Sequence, residues 1–208
     1  MSRPVGLVIL DCHGLVLNDP WPQFIRDCAR RTGADPDTWW QRWRSEWRQQ
    51  AWLGQLNDHQ LWEVLYREPG ERATWGESLE PRYALGPAAP HLDRWRTRAP
   101  VTLLSNHRAA WLRPRLERFN LTGQFADILV SDEIGVVKPD RRAFEIAAGD
   151  VPVGSVVYAD NSEANVLAAR AAGLQAILAT PGRGWIDELD ARLDLPVVGS
   201  AGYDAPLA

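Results

Sequence analysis

Short apolar runs that stop at an acid or a small polar residue recur along the chain. Val5-Gly6-Leu7-Val8-Ile9-Leu10 is unbroken until Asp11, the pattern of a strand buried on both faces. Gly14 lets the chain turn sharply after it. Pro20 and Pro22 mark entry to a helix expected to run to about Arg31 and stop at Gly33. Asp35-Pro36-Asp37-Thr38 starts another, with acids in its first turn favouring the dipole. Trp39, Trp43 and Trp47 follow at four-residue steps, so their rings share one face. Asn57-Asp58 caps a third helix carrying Leu61, Trp62, Leu65 and Tyr66. Pro69-Gly70 and Gly86-Pro87 punctuate what comes next.

Beyond residue 90 strand and helix signals alternate. Val101–Leu104 reads as a strand ending at Ser105, and residues 108–119 as a helix despite Pro114. Residues 126–130 read as a short strand. Pro139 is expected in the first turn of a helix reaching Ala148. Residues 155–159 form a strand ending at Asp160, residues 162–172 an alanine-rich helix stopped by Gly173, and Gln175–Leu178 a last strand. The rhythm predicts an α/β fold: a doubly wound parallel sheet with a small helical insert after the first strand. The expected division is a core of residues 1–17 and 91–195, an insert of 18–90, and a tail of 196–208. Ligands of such sheets bind beyond the carboxyl ends of the strands, where Asp11, Ser105 and Asp160 stand.

Composition sharpens this picture. A chain of 208 residues suits one domain with a small inserted one. Eight of its 11 tryptophans fall between Trp21 and Trp75, a Trp-, Arg- and Gln-rich island that suggests an insert with its own core. The rings at 39, 43 and 47 are read as packing. Trp39 and Trp40 cannot share a helical face, which leaves room for one of them to look into the crevice with Arg42 or Arg44. A net charge of -4 gives no basic field for nucleic acid. No apolar run approaches the roughly 20 residues of a membrane span. Cys12 and Cys28 lie in different predicted elements with no second pair to make a zinc site, and a reduced cytoplasmic setting is expected. The expected partner is a small-molecule substrate, with no nucleic acid and no membrane, for a monomer or homodimer.

The sequence holds 23 basic residues, and Lys138 is its one lysine. Asp11-x-x-Gly14, Leu103-Leu104-Ser105-Asn106, Lys138-Pro139 and Tyr158-Ala159-Asp160-Asn161-Ser162-x-x-Asn165 match, in order, the four motifs of the haloacid dehalogenase superfamily. The chain resembles that family over roughly residues 5–180, with the insert where the family carries a small cap domain on a Rossmann-like core. The run Gly54-Gln55-Leu56-Asn57 ahead of Leu61-Trp62 looks most like its sugar-phosphate phosphatase branch.

The resemblance implies covalent catalysis: Asp11 attacks the electrophile, usually phosphorus, and water hydrolyses the ester. Lys138 neutralises phosphoryl oxygens and keeps the carboxylate ionised. Ser105 donates to a phosphoryl oxygen with Asn106 beside it, or caps the next helix, or both. Three positions depart from the family pattern. His13 stands where phosphatases carry a second aspartate, and is either a neutral acid–base group or a spacer whose backbone alone matters. Leu15 replaces a threonine or valine. Asn161 replaces the aspartate that binds magnesium. The implied Mg2+ ligands are Asp11, the His13 carbonyl, Asp160 and Asn161, a set weakened by one missing charge or metal-independent. The expected function is phosphomonoester hydrolysis on a small phosphorylated metabolite. A metal-independent 2-haloacid dehalogenase is the alternative, although Phe144 stands where such relatives carry a tyrosine. The third is a protein that is inactive or repurposed for another reaction.

Overall fold

The chain was analysed as a computed structural model that describes residues 4–66 and 79–196. Pro69-Gly70, Trp75 and all but the first residue of the expected tail lie outside the described residues. Strands β1 (Leu7–Leu10), β2 (Val101–Ser105), β3 (Asp127–Val130), β4 (Val156–Asp160) and β5 (Gln175–Leu178) form one sheet. Its order is β3-β2-β1-β4-β5 and every pairing is parallel. The predicted α/β class is therefore what the chain adopts.

Burial on both faces explains the unbroken apolar strands. Val8, Leu10, Leu103 and Ala159 join one apolar cluster, and Leu7, Ile9, Leu104 and Tyr158 join the other. Alternation along β1 thus feeds both cores at once.

Between β1 and β2 come α1 (Trp21–Arg31), α2 (Pro36–Arg42), α3 (Arg48–Trp52), α4 (Asp58–Tyr66) and α5 (Leu92–Arg96). Local chemistry starts and stops them. Pro22 sits in the first turn of α1, and Arg30 and Arg31 face its negative C-terminal end. The Asp35 carboxylate accepts from the Thr38 amide at 2.8 Å to cap α2. Asn57 and Gln60 make a reciprocal capping box at α4, both bonds 2.9 Å. Residues Trp43–Trp47 are wound as a π-helical turn joining α2 to α3. That extra residue per turn breaks the four-residue register: Trp43 stacks on Trp21 with centroids 5.6 Å apart, while Trp39 pairs with Trp47 at 5.5 Å. Trp39 and Trp43 are buried as packing, as expected.

The chain leaves and re-enters the sheet side by side. Gly86 donates to the Val16 carbonyl and Ala88 to the Leu15 carbonyl, both at 2.8 Å, and the Asn18 side chain bridges to Arg82 and Ala84. A Cβ on Gly86 would lie 2.3 Å from the Leu15 carbonyl oxygen, so only glycine permits this approach.

After β2 come α6 (Ala109–Arg118), α7 (Ser131–Ile134), α8 (Arg141–Ala148), α9 (Glu163–Ala171) and α10 (Gly184–Arg192). One expected boundary is corrected. Pro139 lies outside α8, because Asp140 takes the cap and accepts from the Arg142 amide at 2.8 Å. Lys138-Pro139 is a cis peptide bond in the loop before it. Cys12 and Cys28 are buried free thiols. No helix among the described residues is long and apolar enough to cross a membrane.

On one face α5 and α10 are joined by a buried carboxylate. Asp190 accepts from Trp95 Nε1 at 2.7 Å and pairs with Arg94 at 2.8 Å. Removing one donor leaves that anion under-satisfied inside the protein. Trp95→Phe is expected to lower unfolding free energy by about 1–3 kcal/mol in urea titrations. An unchanged midpoint would show that the bond contributes nothing.

Candidate active site

The carboxyl ends of β1, β2 and β4 and the loop before α8 converge on one lysine. Lys138 Nζ lies 2.6 Å from Asp11 Oδ1, 3.0 Å from Asp160 Oδ2 and 2.7 Å from the Leu104 carbonyl oxygen. Lys138 and Asp160 are buried, and the Asp11 side chain retains 13% exposure, so the shared opening is on the Asp11 side.

Each member of this cluster is held by neighbours. Asn106 Nδ2 donates to the Lys138 carbonyl and Asn106 Oδ1 accepts from the Lys138 amide, both at 2.8 Å. Asn106 therefore fixes the lysine's backbone through the two ends of its amide, a role the sequence did not suggest. Asp160 Oδ2 also accepts from Asn165 Nδ2 at 2.9 Å and from the Tyr158 hydroxyl, while Oδ1 accepts from the Ser162 amide at 2.7 Å. Tyr158 was missed in the sequence, although it lies two residues before Asp160 and so faces the same side of β4. Phe144 meets the Tyr158 ring edge-on at 5.2 Å. Ser105 Oγ is buried without a hydrogen-bond partner.

Electrostatics follow from this packing. Burial would lower the Lys138 pKa, but Asp11 and Asp160 outweigh it and hold the ammonium above the ordinary lysine value. Burial raises Asp11 to about 7; Lys138 opposes that rise and Asp160 adds to it. Two carboxylates share a single cation, so Asp11 retains part of the burial cost.

His13 leaves β1 beside Asp11 and joins a column of rings. It stacks on His107 at 4.8 Å, and His107 stacks on Trp52 of α3 at 4.6 Å. Tyr83 lies 5.9 Å from His13, and the Arg115 guanidinium sits 4.2 Å from the Tyr83 ring centroid while paired with Glu80. Burial first, then Arg115 and Lys138, push the His13 pKa down to about 3, so its ring is neutral. His13 Nε2 has no hydrogen-bond partner. The tryptophan at this column is Trp52. Trp40, half-buried, lies beneath the Arg26 guanidinium at 5.4 Å, and buried Trp39 packs on Trp47 and Arg42, which corrects the suggestion that one of the adjacent pair faces the crevice.

The residues implied as magnesium ligands do not form a cation site. Asn161 Nδ2 donates to the His13 carbonyl oxygen at 3.1 Å, so a donor stands against an oxygen that would face the ion. Both Asp160 oxygens already accept hydrogen bonds. Magnesium needs several hard oxygens with free lone pairs in a near-octahedral shell. Among the described residues no group of three or more His, Cys, Asp or Glu is arranged to hold a metal ion.

No family model matches the chain. A phosphoserine phosphatase from Thermus thermophilus is 29% identical over 148 residues, covering 66% of this chain and 57% of the relative. The chain thus spans little more than half the length of that curated relative. A haloacid dehalogenase family enzyme from Bacteroides thetaiotaomicron superposes with a TM-score of 0.73 at 14% identity, covering 88% of this chain and 97% of that one. The Bacteroides enzyme has also been solved with magnesium and inorganic phosphate. The L-2-haloacid dehalogenase of Xanthobacter autotrophicus gives 0.60 at 18% identity, covering 90% and 81%. At these identities the shared property is the fold. The chain is haloacid dehalogenase-like in fold, and the resemblance read from the sequence is borne out at that level.

Gly14 shows how tightly the two loops meet. Its φ is +92°, and a Cβ there would lie 2.1 Å from Asn161 Nδ2. Gly14→Ala is expected to cost about 1–3 kcal/mol from backbone strain, and more from the collision. In the Asn161→Ala background the collision disappears and the strain remains. A double-mutant cycle by chemical denaturation should give a coupling of at least about 0.5 kcal/mol. Simple additivity would mean that the amide does not rest on Gly14.

Proposed function

We propose that the protein is a hydrolase that forms an ester on Asp11, acting on a small phosphomonoester. The observation that carries this reading is the Lys138 ammonium 2.6 Å from Asp11 Oδ1 at the carboxyl edge of a parallel sheet. One oxygen of Asp11 is held by that contact and the other is left to attack. In the first step an Asp11 oxygen bonds to phosphorus as the phosphorus–oxygen ester bond breaks, and the departing alkoxide takes a proton from water. In the second, water cleaves the acyl phosphate, releasing phosphate and restoring the carboxylate. Lys138 holds the carboxylate through both steps, and the unpartnered Ser105 hydroxyl supplies a donor for a phosphoryl oxygen. Likeness to a phosphoserine phosphatase supports a phosphorylated metabolite as substrate.

The helical segment before β2, ending in the Trp52–His107–His13 column, acts in this reading as a cap that shapes the leaving-group side. His13 presents a neutral ring there, with Nε2 free to accept from or donate to the leaving oxygen according to tautomer.

One observation favours a second reading. The hydrogen bond from Asn161 to the His13 carbonyl leaves no cation pocket, which suits displacement of halide from a 2-haloacid by Asp11, a reaction that needs no metal. A site with neither activity would be inactive or repurposed.

Asp11→Asn is expected to lower turnover of an aryl phosphate by at least about 1,000-fold, because it removes the nucleophile itself. Intact-mass measurement on quenched wild-type protein should find a phosphoryl adduct on Asp11. Halide release from 2-haloacids without phosphate release selects the second reading; retained activity in Asp11→Asn removes both.

A further inference from the structure

Asn161 stands where a third acid, beside Asp11 and Asp160, would reach the mouth of the site. It sits just beyond Asp160, is itself exposed, and directs its amide nitrogen at the His13 carbonyl oxygen, 3.1 Å away, across the surface of Gly14. The loop after β1 and the loop after β4 are thereby joined by a neutral hydrogen bond at the point where oxygens from both would otherwise face a cation. The remaining acid on this side, Asp160, has lone pairs accepting from Lys138, Tyr158, Asn165 and the Ser162 amide. Asp11 is the one carboxylate with exposure to spare.

We propose that the Asn161 amide takes the place of a divalent cation, holding the His13 carbonyl and closing the two loops, so that the protein neither binds nor needs magnesium. The inference rests on the Asp11 reading for its consequence, which is turnover indifferent to chelators. Its physical core, the lack of cation binding, does not depend on that reading. The replacement is chemically balanced. An aspartate here would set a carboxylate against a carbonyl oxygen, two acceptors with nothing between them, and a cation would be required to hold them together. Asparagine supplies the missing positive hydrogen from its own side chain. Asn161→Asp therefore recreates the repulsion and, with it, the demand for a cation.

The test is magnesium titration of the full chain followed by calorimetry and by thermal unfolding, neither of which needs a substrate. Wild-type protein is expected to show no binding heat and no shift in Tm at millimolar magnesium. Asn161→Asp is expected to unfold at lower temperature without magnesium and to regain stability as magnesium is added, the gain following ligand occupancy. Asn161→Ala, which removes the amide without adding charge, is expected to lose stability without regaining it in magnesium. Should Asn161→Asp fail to fold, backbone amide shifts of His13 and Gly14 in wild-type protein under magnesium decide the matter. Magnesium binding by the wild type, through a turned Asn161 carbonyl oxygen or any other group at this site, overturns the proposal; so does an Asn161→Asp protein indifferent to magnesium. Wild-type protein that hydrolyses nothing yet shows this metal pattern refutes the Asp11 reading and leaves the amide substitution standing. Activity abolished by chelators and restored by magnesium does the reverse.

Discussion

A buried ammonium between two carboxylates organises this molecule. Removing ions from water costs several kcal/mol each, and the attraction among them offsets that only when geometry is good and remaining lone pairs are satisfied. The chain meets both conditions by drawing on four separate segments. Asp11 comes from the end of β1, the Leu104 carbonyl from β2, Asp160 and Tyr158 from β4, and Lys138 from the loop before α8. No two of these segments are adjacent in sequence. The cluster forms only when the parallel register is correct, because a slip of one residue would turn each strand's side chains to the opposite face. Site and sheet therefore specify one another.

The tryptophan-rich segment meets this cluster through rings rather than charges. Trp52 ends α3 and stacks on His107, which stacks on His13, so the tryptophan-rich segment reaches the residue two places from Asp11 through His107. Ser131 reinforces the junction: its amide-facing hydroxyl oxygen accepts from His107, and its hydroxyl lies against the Trp52 carbonyl. Aromatic stacks of this kind add about 0.5–1.5 kcal/mol per pair beyond the burial of their surface. A column of several such contacts holds His13 without charging it. The neutral state of His13 has the same first cause as the packing of this column, the exclusion of water from one small region, with Arg115 and Lys138 adding to it.

Much of this was legible in the sequence because it is written locally. An unbroken apolar run ending in an acid marks a buried strand and its functional end, which is why Asp11, Ser105 and Asp160 could be placed on one edge of the sheet. Asp35 and Asn57 announce their helices by capping chemistry, and both caps form. The unread features depend on contacts between distant segments. Tyr158 stands within the fourth motif, yet nothing local shows that its hydroxyl meets the Asp160 carboxylate. Asn106 was read as a substrate contact because nothing local shows that the Lys138 backbone lies against it. The π-helical turn at Trp43–Trp47 was likewise unread, because four-residue spacing cannot reveal an inserted residue. Pro139 fits a helix start by propensity, yet Asp140 outcompetes it by supplying an acceptor.

The departures at 13 and 161 are best understood together. Each replaces an acid expected at the mouth of the site, and together they take two negative charges from a region that already holds Asp11 and Asp160. With one ammonium for two carboxylates the buried cluster carries a single net negative charge, and a further acid without a cation would add repulsion that this low-dielectric setting does not screen. Histidine held neutral by its ring stack and asparagine donating to the His13 carbonyl both relieve that repulsion. The residual charge falls on Asp11, the most exposed of the three, whose pKa burial raises to about 7, with Asp160 adding to the rise and Lys138 opposing it. Asp11 is thus the member of the cluster nearest solvent, and the two substitutions keep further negative charge away from it.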